Sequence, residues 1–227
     1  MEFEDPAPAP SPNGDALPIV TILLAFANVA AWFAVLSFAV ADPHRWREAY
    51  RTYGFVPAEF NLAALPTSLF MHAGIMQLAG NVYFLVVFGR IVEAAWGALK
   101  FAALYLSGGM LAGLAHWAVY PDSTLPLLGA SGAIAALMGT VAVAFPTAQV
   151  NLFGFFGPLF AASMKSVDVP AGTVLLAWFI YQSLMFALAA ESDGVAWVTH
   201  LAGFAVGALA AAGQKKRGRP HRWDDDE

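Results

Sequence analysis

Three short stretches carry residue types that could do chemistry together. In Gly129-Ala130-Ser131-Gly132 a serine stands where a loop enters a helix. The first turn of a helix gathers free N–H groups and the positive end of the helix dipole, a setting that suits a developing oxyanion. Read alone, the same serine is equally a helix cap, since serine is a favoured N-cap residue. In Thr199-His200-Leu201-Ala202-Gly203-Phe204-Ala205-Val206-Gly207 an ionisable side chain lies within an apolar segment. Such a residue is costly in a membrane span and is a functional candidate by default. Gly203 and Gly207 form one smooth helix face, and His200 projects from roughly that face. A small-residue helix after Ser131 (Gly132, Ala135, Ala136, Gly139) could pack closely on it and bring His200 to Ser131. The competing reading is an interfacial histidine bonded to lipid or backbone, which leaves the glycines unexplained.

The third stretch is Met71-His72-Ala73-Gly74-Ile75-Met76-Gln77-Leu78-Ala79-Gly80-Asn81. Gln77 and Asn81 share a helix face, and amide N–H groups can donate to an oxyanion. Polar side chains in membrane helices also hold helices together, and that explanation suffices for any one of the three polar residues. A serine nucleophile needs a base to take its proton, and neutral histidine serves. An acid usually orients that histidine. The sequence offers none at the right depth, because Glu93 falls at the far end of the second helix. A Ser131–His200 dyad therefore fits better than a triad.

Long apolar runs must position these residues. Of 227 residues, 59% are hydrophobic and 12% charged. A soluble domain carries about 25% charged residues. The mean hydropathy of +0.62 comes from uncharged runs that read as membrane helices. Six are expected, near 17–40, 67–88, 101–119, 131–146, 171–190 and 196–212. Residues 41–66, with Asp42, Arg45, Arg47, Glu48, Arg51 and Glu59, are expected to lie on the membrane surface. The organisation expected is a disordered tail over 1–16, a six-helix membrane domain over 17–212 and a charged cytoplasmic tail over 213–227. The acidic start lacks the basic region of a cleavable signal. The absence of cysteine excludes disulfides, thiol chemistry and thiolate metal sites. No metal-binding motif and no basic nucleic-acid-binding face stands out, so neither metal, cofactor nor nucleic acid is expected.

Six crossings put both termini on one side. Lys215, Lys216, Arg217, Arg219 and Arg222 follow the last run, Arg90 and Lys100 lie between the second and third, and Lys165 lies between the fourth and fifth. Only Arg45, Arg47 and Arg51 fall opposite. The positive-inside rule makes both termini cytoplasmic. His72, Ser131 and His200 then each fall near a helix start on the outer face. The alanine-rich, lysine-poor composition points to a bacterial inner membrane.

Together these motifs resemble the rhomboid intramembrane proteases, over roughly residues 66–207. The family's GxSG motif matches Gly129 to Gly132 and implies Ser131 as nucleophile. Its histidine, with glycines three and seven residues later, matches His200, Gly203 and Gly207. Its His-x4-His-x3-Asn signature matches at His72 and Asn81, and Phe88-Gly89-Arg90-Ile91-Val92-Glu93 resembles its Gly-x3-Glu helix end, where the glutamate is structural. Gln77 departs from the pattern, standing where the family usually has a second histidine that helps hold the oxyanion. Ala135 stands where some members stack a tyrosine on the histidine. Trp46-Arg47 is similar to a pair in the first loop of some members but lies well before His72, so the two are not equated.

The resemblance implies an all-α, six-helix rhomboid bundle and a serine endopeptidase that cuts transmembrane segments of other membrane proteins in the lipid bilayer. Ser131 and His200 would be catalytic. Asn81, Gln77 and the Ser131 N–H would form the oxyanion site, supported by His72, Gly129, Gly132, Gly203 and Gly207. Trp178, Phe179 and Tyr181, with the loop around 120–128, are candidates for a gate and cap. The alternative is a non-proteolytic rhomboid-like protein that binds membrane helices. A channel or transporter is disfavoured, since paired intramembrane charges and matched interrupted helices are lacking. Oligomeric state has no signal in the sequence.

Overall fold

A computed structural model describes residues 17–42, 44–151, 168–188 and 196–216. The expected tail over 1–16, residues 217–227 of the tail expected over 213–227, the turn around Glu191 and the basic residue Lys165 lie outside the described residues. The chain forms α1 (Ile19–Ala41), α2 (Arg45–Tyr53), α3 (Ala64–Ser68), α4 (Ile75–Trp96), α5 (Ala98–Val119), α6 (Ser131–Ala144), α7 (Ala171–Leu188) and α8 (Trp197–Lys216). A single turn of 3-10 helix, Pro57–Glu59, precedes α3. Two three-residue strands, β1 (Gln149–Asn151) and β2 (Asp168–Pro170), pair antiparallel between α6 and α7. They are short enough to have escaped periodicity reading.

Among the described residues, four helices, α1, α4, α5 and α7, are long and apolar enough to cross a membrane. Their outer faces expose Phe26, Phe33, Leu176, Ile180 and Leu184. In water such a surface is a liability, whereas against hydrocarbon it is at no disadvantage. The polar α2 lies beside α1 and buries only Ala49. With the compact six-helix arrangement of α1 and α4–α8, this is an all-α polytopic membrane protein.

At the centre stands α6, with every residue from Gly132 to Val141 buried. It packs most extensively on α8, through glycines on both sides. A β-carbon on Gly203 would overlap the carbonyl oxygen of Gly132, one on Gly207 that of Ala136, and one on Gly139 that of Phe204. Close approach of this kind is what small residues permit between membrane helices. Thr140 Oγ1 bridges the pair, reaching the carbonyls of Ala136 at 2.9 Å and Gly207 at 3.1 Å. On the other side of α6, Gly108 and Gly109 of α5 admit Ala136 and Ala133.

The second membrane helix differs from expectation. It starts at Ile75 rather than near residue 67, and His72 lies in the loop before it. Gly74 is extended, with φ −169° and ψ 164°, so the helix cannot run through it. The apolar Leu69 and Met71 are buried in that loop, and this burial imitates a helix in a hydropathy profile. The last helix runs past the expected end at Ala212 to Lys216.

Candidate active site

Ser131 is the first residue of α6. The first bond within the helix runs from Ile134 N–H to the Ala130 carbonyl at 2.9 Å. The N–H groups of Ser131, Gly132 and Ala133 thus have no acceptor inside the helix and add to the positive end of its dipole. Just before it, Gly129 has φ +117°, a conformation that favours glycine, and its N–H donates to the Ser68 carbonyl at 2.9 Å. This turn delivers the chain into α6 with Ser131 facing a cavity of about 740 Å³.

His200 reaches the same cavity from the first turn of α8. Its Nε2 lies 2.9 Å from Ser131 Oγ. Its Nδ1 lies 2.8 Å from Oε1 of Gln182 on α7. A carbonyl oxygen only accepts, so the ring carries its proton on Nδ1 and leaves the Nε2 lone pair for the serine hydroxyl. Two indoles flank the ring, Trp178 at 6.2 Å between centroids and Trp197 at 6.2 Å edge-on. Trp178 sits one turn before Gln182, so α7 contributes both a ring contact and a hydrogen bond. Ala135, one turn after Ser131, is buried, with its β-carbon against Gly203.

The amides of α4 line the opposite wall. Asn81 Nδ2 donates to His72 Nε2 at 2.9 Å. His72 in turn uses Nδ1 towards the Phe70 carbonyl at 3.3 Å. His72 is thereby a neutral ring that holds Asn81 in place. Gln77 ties two loops together, accepting from Ala73 N–H at 2.8 Å and donating to the Leu128 carbonyl at 2.9 Å. Both amide nitrogens stand beside Gly129, where a β-carbon would lie 2.8 Å from Gln77 Nε2 and 3.3 Å from Asn81 Nδ2. An amide nitrogen has two N–H donors, so each keeps a second one beyond the bond described.

The geometry brings together the residues expected for the catalytic, oxyanion and supporting roles, while of the gate candidates on α7, Trp178 lines the cavity and Phe179 and Tyr181 do not. Ser131, His200, Asn81 and Gln77 line one cavity, His72 supports Asn81, Gly129 makes the turn, and Gly132, Gly203 and Gly207 set the helix spacing. Sequence reasoning missed Gln182 and passed over Trp197. A signal existed, because Gln182 is an amide in the middle of an apolar helix, where polar side chains seek partners. Among the described residues, no group of three His, Asp or Glu side chains could hold a metal ion. Apolar side chains, including Phe84, Ile134, Met138 and Trp178, make up much of the remaining wall.

Comparison with known proteins bears on the family. Residues 59–217 match the Rhomboid domain family. Over 68 residues the chain is 38% identical to "Rhomboid-like protein 11, chloroplastic" of Arabidopsis thaliana, covering 30% of this chain and 24% of that protein. Over 88 residues it is 32% identical to "Presenilin-associated rhomboid-like protein A, mitochondrial" of Danio rerio, covering 37% and 23%. With the "Putative rhomboid protease YdcA" of Bacillus subtilis it shares 28% identity over 122 residues, covering 54% and 60%. The chain thus spans less than a quarter of the first two relatives and three fifths of the third. The matched stretch covers well over half of this chain and contains α4 to α8 with the Ser131–His200 contact, so the chain belongs to the rhomboid family.

Proposed function

We propose that this protein is an intramembrane serine endopeptidase that cleaves transmembrane segments of other membrane proteins. The observation that carries the reading is the hydrogen bond between Ser131 Oγ and His200 Nε2 at the head of α6, inside a cavity. A serine at a helix N-terminus beside a histidine with a free Nε2 lone pair is the arrangement an activated nucleophile needs.

In the proposed reaction Ser131 Oγ attacks the substrate carbonyl carbon as His200 Nε2 takes the hydroxyl proton. The resulting oxyanion lies against the Ser131 N–H, with Asn81 Nδ2 and Gln77 Nε2 as further donors. The C–N bond then breaks, and the leaving amine takes the proton from His200. Water, deprotonated by His200, attacks the acyl ester and releases the second product and free Ser131. A helical peptide bond is shielded by its own hydrogen bonds, so the substrate segment must unwind to enter. Arg90 and Lys100, expected in a connection, lie instead within the last two turns of α4 and the first turn of α5, and Lys215 and Lys216 end α8. Basic residues at these helix ends support an orientation with both termini cytoplasmic and the site opening outward, and the proposed location is a bacterial inner membrane.

The test is labelling of the purified full chain in detergent by a fluorophosphonate probe. Wild type should label, and Ser131→Ala and His200→Ala should not. A folded wild type that stays unlabelled, with Gln77→His equally silent, would favour a non-proteolytic binder of membrane helices. Orientation is tested in cells with an impermeant maleimide on single cysteines placed in this cysteine-free chain. Asp122→Cys should react from outside and Leu99→Cys should not.

A further inference from the structure

The Ser131–His200 pair accounts for one nitrogen of the imidazole and leaves the other to be explained. His200 Nδ1 faces Gln182 Oε1 at 2.8 Å. Gln182 is buried, at 5% exposure, on a helix that otherwise buries only Ala171 and Leu175 among its described residues. A buried amide in an apolar span costs free energy unless it is bonded, so the side chain is committed to this contact. Its two orientations are not equivalent. With Oε1 towards the ring, Nδ1 keeps its proton and Nε2 accepts from serine. With the NH2 group towards the ring, the proton moves to Nε2 and the ring can no longer take one from Ser131.

We propose that Gln182 is a positioning residue for the reaction, a neutral third member that fixes the tautomer and tilt of His200 through its amide oxygen. This rests on the reading of Ser131 as the nucleophile. The role is the one an acid usually fills, and an amide oxygen supplies the orientation without a charge. A buried carboxylate here would have to be desolvated, which is costly without a full partner. An amide avoids that cost and gives less stabilisation to the imidazolium. Trp178, one turn earlier on the same helix, packs beside the ring in a tilted contact. The orientation of the base is therefore set from α7, whose C-terminal half has Gln182 as its buried residue.

The proposal is tested in the full chain with Gln182→Met, which keeps length and loses the acceptor, and Gln182→Glu, which keeps an acceptor and adds charge. Gln182→Met should lower the saturating fluorophosphonate labelling rate roughly tenfold to a hundredfold, a part of the roughly hundredfold to ten-thousandfold that a positioned base supplies. The probe concentration for half-maximal rate should change little. Gln182→Glu should keep the rate near wild type at neutral pH. Its acid limb should move to higher pH, since a carboxylate stabilises the imidazolium. The side chains recorded against the ring (Ser131, Gln182, Trp178 and Trp197) carry no charge, and the titratable groups elsewhere on the cavity wall, His116 and Tyr120, are common to wild type and variant, so a difference between the two profiles comes from residue 182. A second readout needs no activity. Nitrogen-15 NMR of histidine-labelled protein, assigned by His200→Ala, should place the proton on Nδ1 in wild type and in Ser131→Ala, and show mixed tautomers in Gln182→Met. Unchanged tautomer and rate in Gln182→Met would overturn the proposal while leaving the serine protease reading intact. If Gln182→Met does not fold, an unshifted pH profile in Gln182→Glu overturns it equally. Labelling that survives Ser131→Ala would instead remove the protease reading and leave the tautomer measurement to stand by itself.

Discussion

Glu93, near the end of α4, closes the first turn of α1 through Thr21, accepting from its backbone N–H at 2.8 Å and from its hydroxyl at 2.7 Å. The other carboxylate oxygen accepts from Val20 N–H at 2.9 Å. A glutamate distant in sequence thus does the work of an N-cap, for which Pro18 offers no side-chain hydrogen bond. Glu93→Ala should cost about 3 kcal/mol, since hydrogen bonds to charged groups are the stronger ones and three donors lose their acceptor. Glu93→Gln should cost less. Thermal unfolding in detergent measures both, and equal melting of wild type and Glu93→Ala would rule the cap out as a support.

The glycine contacts between α6 and α8 make a sharper comparison. Gly207→Ala places a methyl group on the Ala136 carbonyl, whereas Gly213, on the same helix, has nothing within 4 Å of its β-carbon position. The first change should destabilise by about 3 kcal/mol or more through overpacking. The second should be neutral or stabilise by up to about 1 kcal/mol, the helix propensity gained. Melting curves of the two variants should move apart, and Gly207→Ala should also lose fluorophosphonate labelling as His200 is displaced from Ser131.

Asn81 serves two partners in the proposed mechanism, His72 and the oxyanion. Asn81→Ala should therefore lower the labelling rate about 100-fold, the scale of one lost oxyanion donor. It should also destabilise by about 2 kcal/mol, because a buried His72 nitrogen loses its partner. Removing His72 instead, in His72→Ala, leaves the donor present but unsupported, so its rate should fall between that of Asn81→Ala and wild type. A rate in Asn81→Ala equal to wild type would take Asn81 out of the oxyanion site.

Tyr50 connects the surface helix α2 to the site, its hydroxyl donating to the His72 carbonyl at 2.6 Å. Burial raises the Tyr50 pKa above its ordinary value of 10.0. A raised folded value means that the contribution is fully present below the unfolded pKa and lost as pH rises through the folded one. Wild-type stability should therefore decline as pH climbs past about 10, the ordinary tyrosine value, and Tyr50→Phe should decline less. At neutral pH the same variant should be about 1 kcal/mol less stable, the net worth of one hydrogen bond. Denaturation followed against pH for the pair checks both signs.

How much of this was legible in the sequence differs from residue to residue. Ser131, His200, Gly203 and Gly207 could be read because their signals are local. A serine at a helix start and glycines at helical spacing retain their meaning whatever surrounds them. The loop around His72 could not be placed correctly, because Leu69 and Met71 are buried in protein and hydropathy records burial rather than conformation. Only the extended Gly74 and the bonds from Gln77 to Ala73 and Leu128 reveal that the chain is not helical there. Gln182 was visible as an oddity in an apolar helix, but its partner lies on a different helix, and one sequence carries no record of which helices touch. The interhelical cap made by Glu93 was hidden for the same reason.

The brevity of α6 has a final consequence. Its 14 residues would extend about 21 Å, short of the roughly 30 Å hydrocarbon thickness, and they are enclosed by α4, α5, α7 and α8. The solvent that α6 experiences is protein rather than lipid. Its alanines and glycines answer to the volume left by their neighbours, as in the core of a water-soluble enzyme, and the greasiness that would favour its partition into a bilayer is secondary. The segment that presents Ser131 is thus an ordinary protein interior carried inside a membrane, and the helices around it make up the boundary with fat.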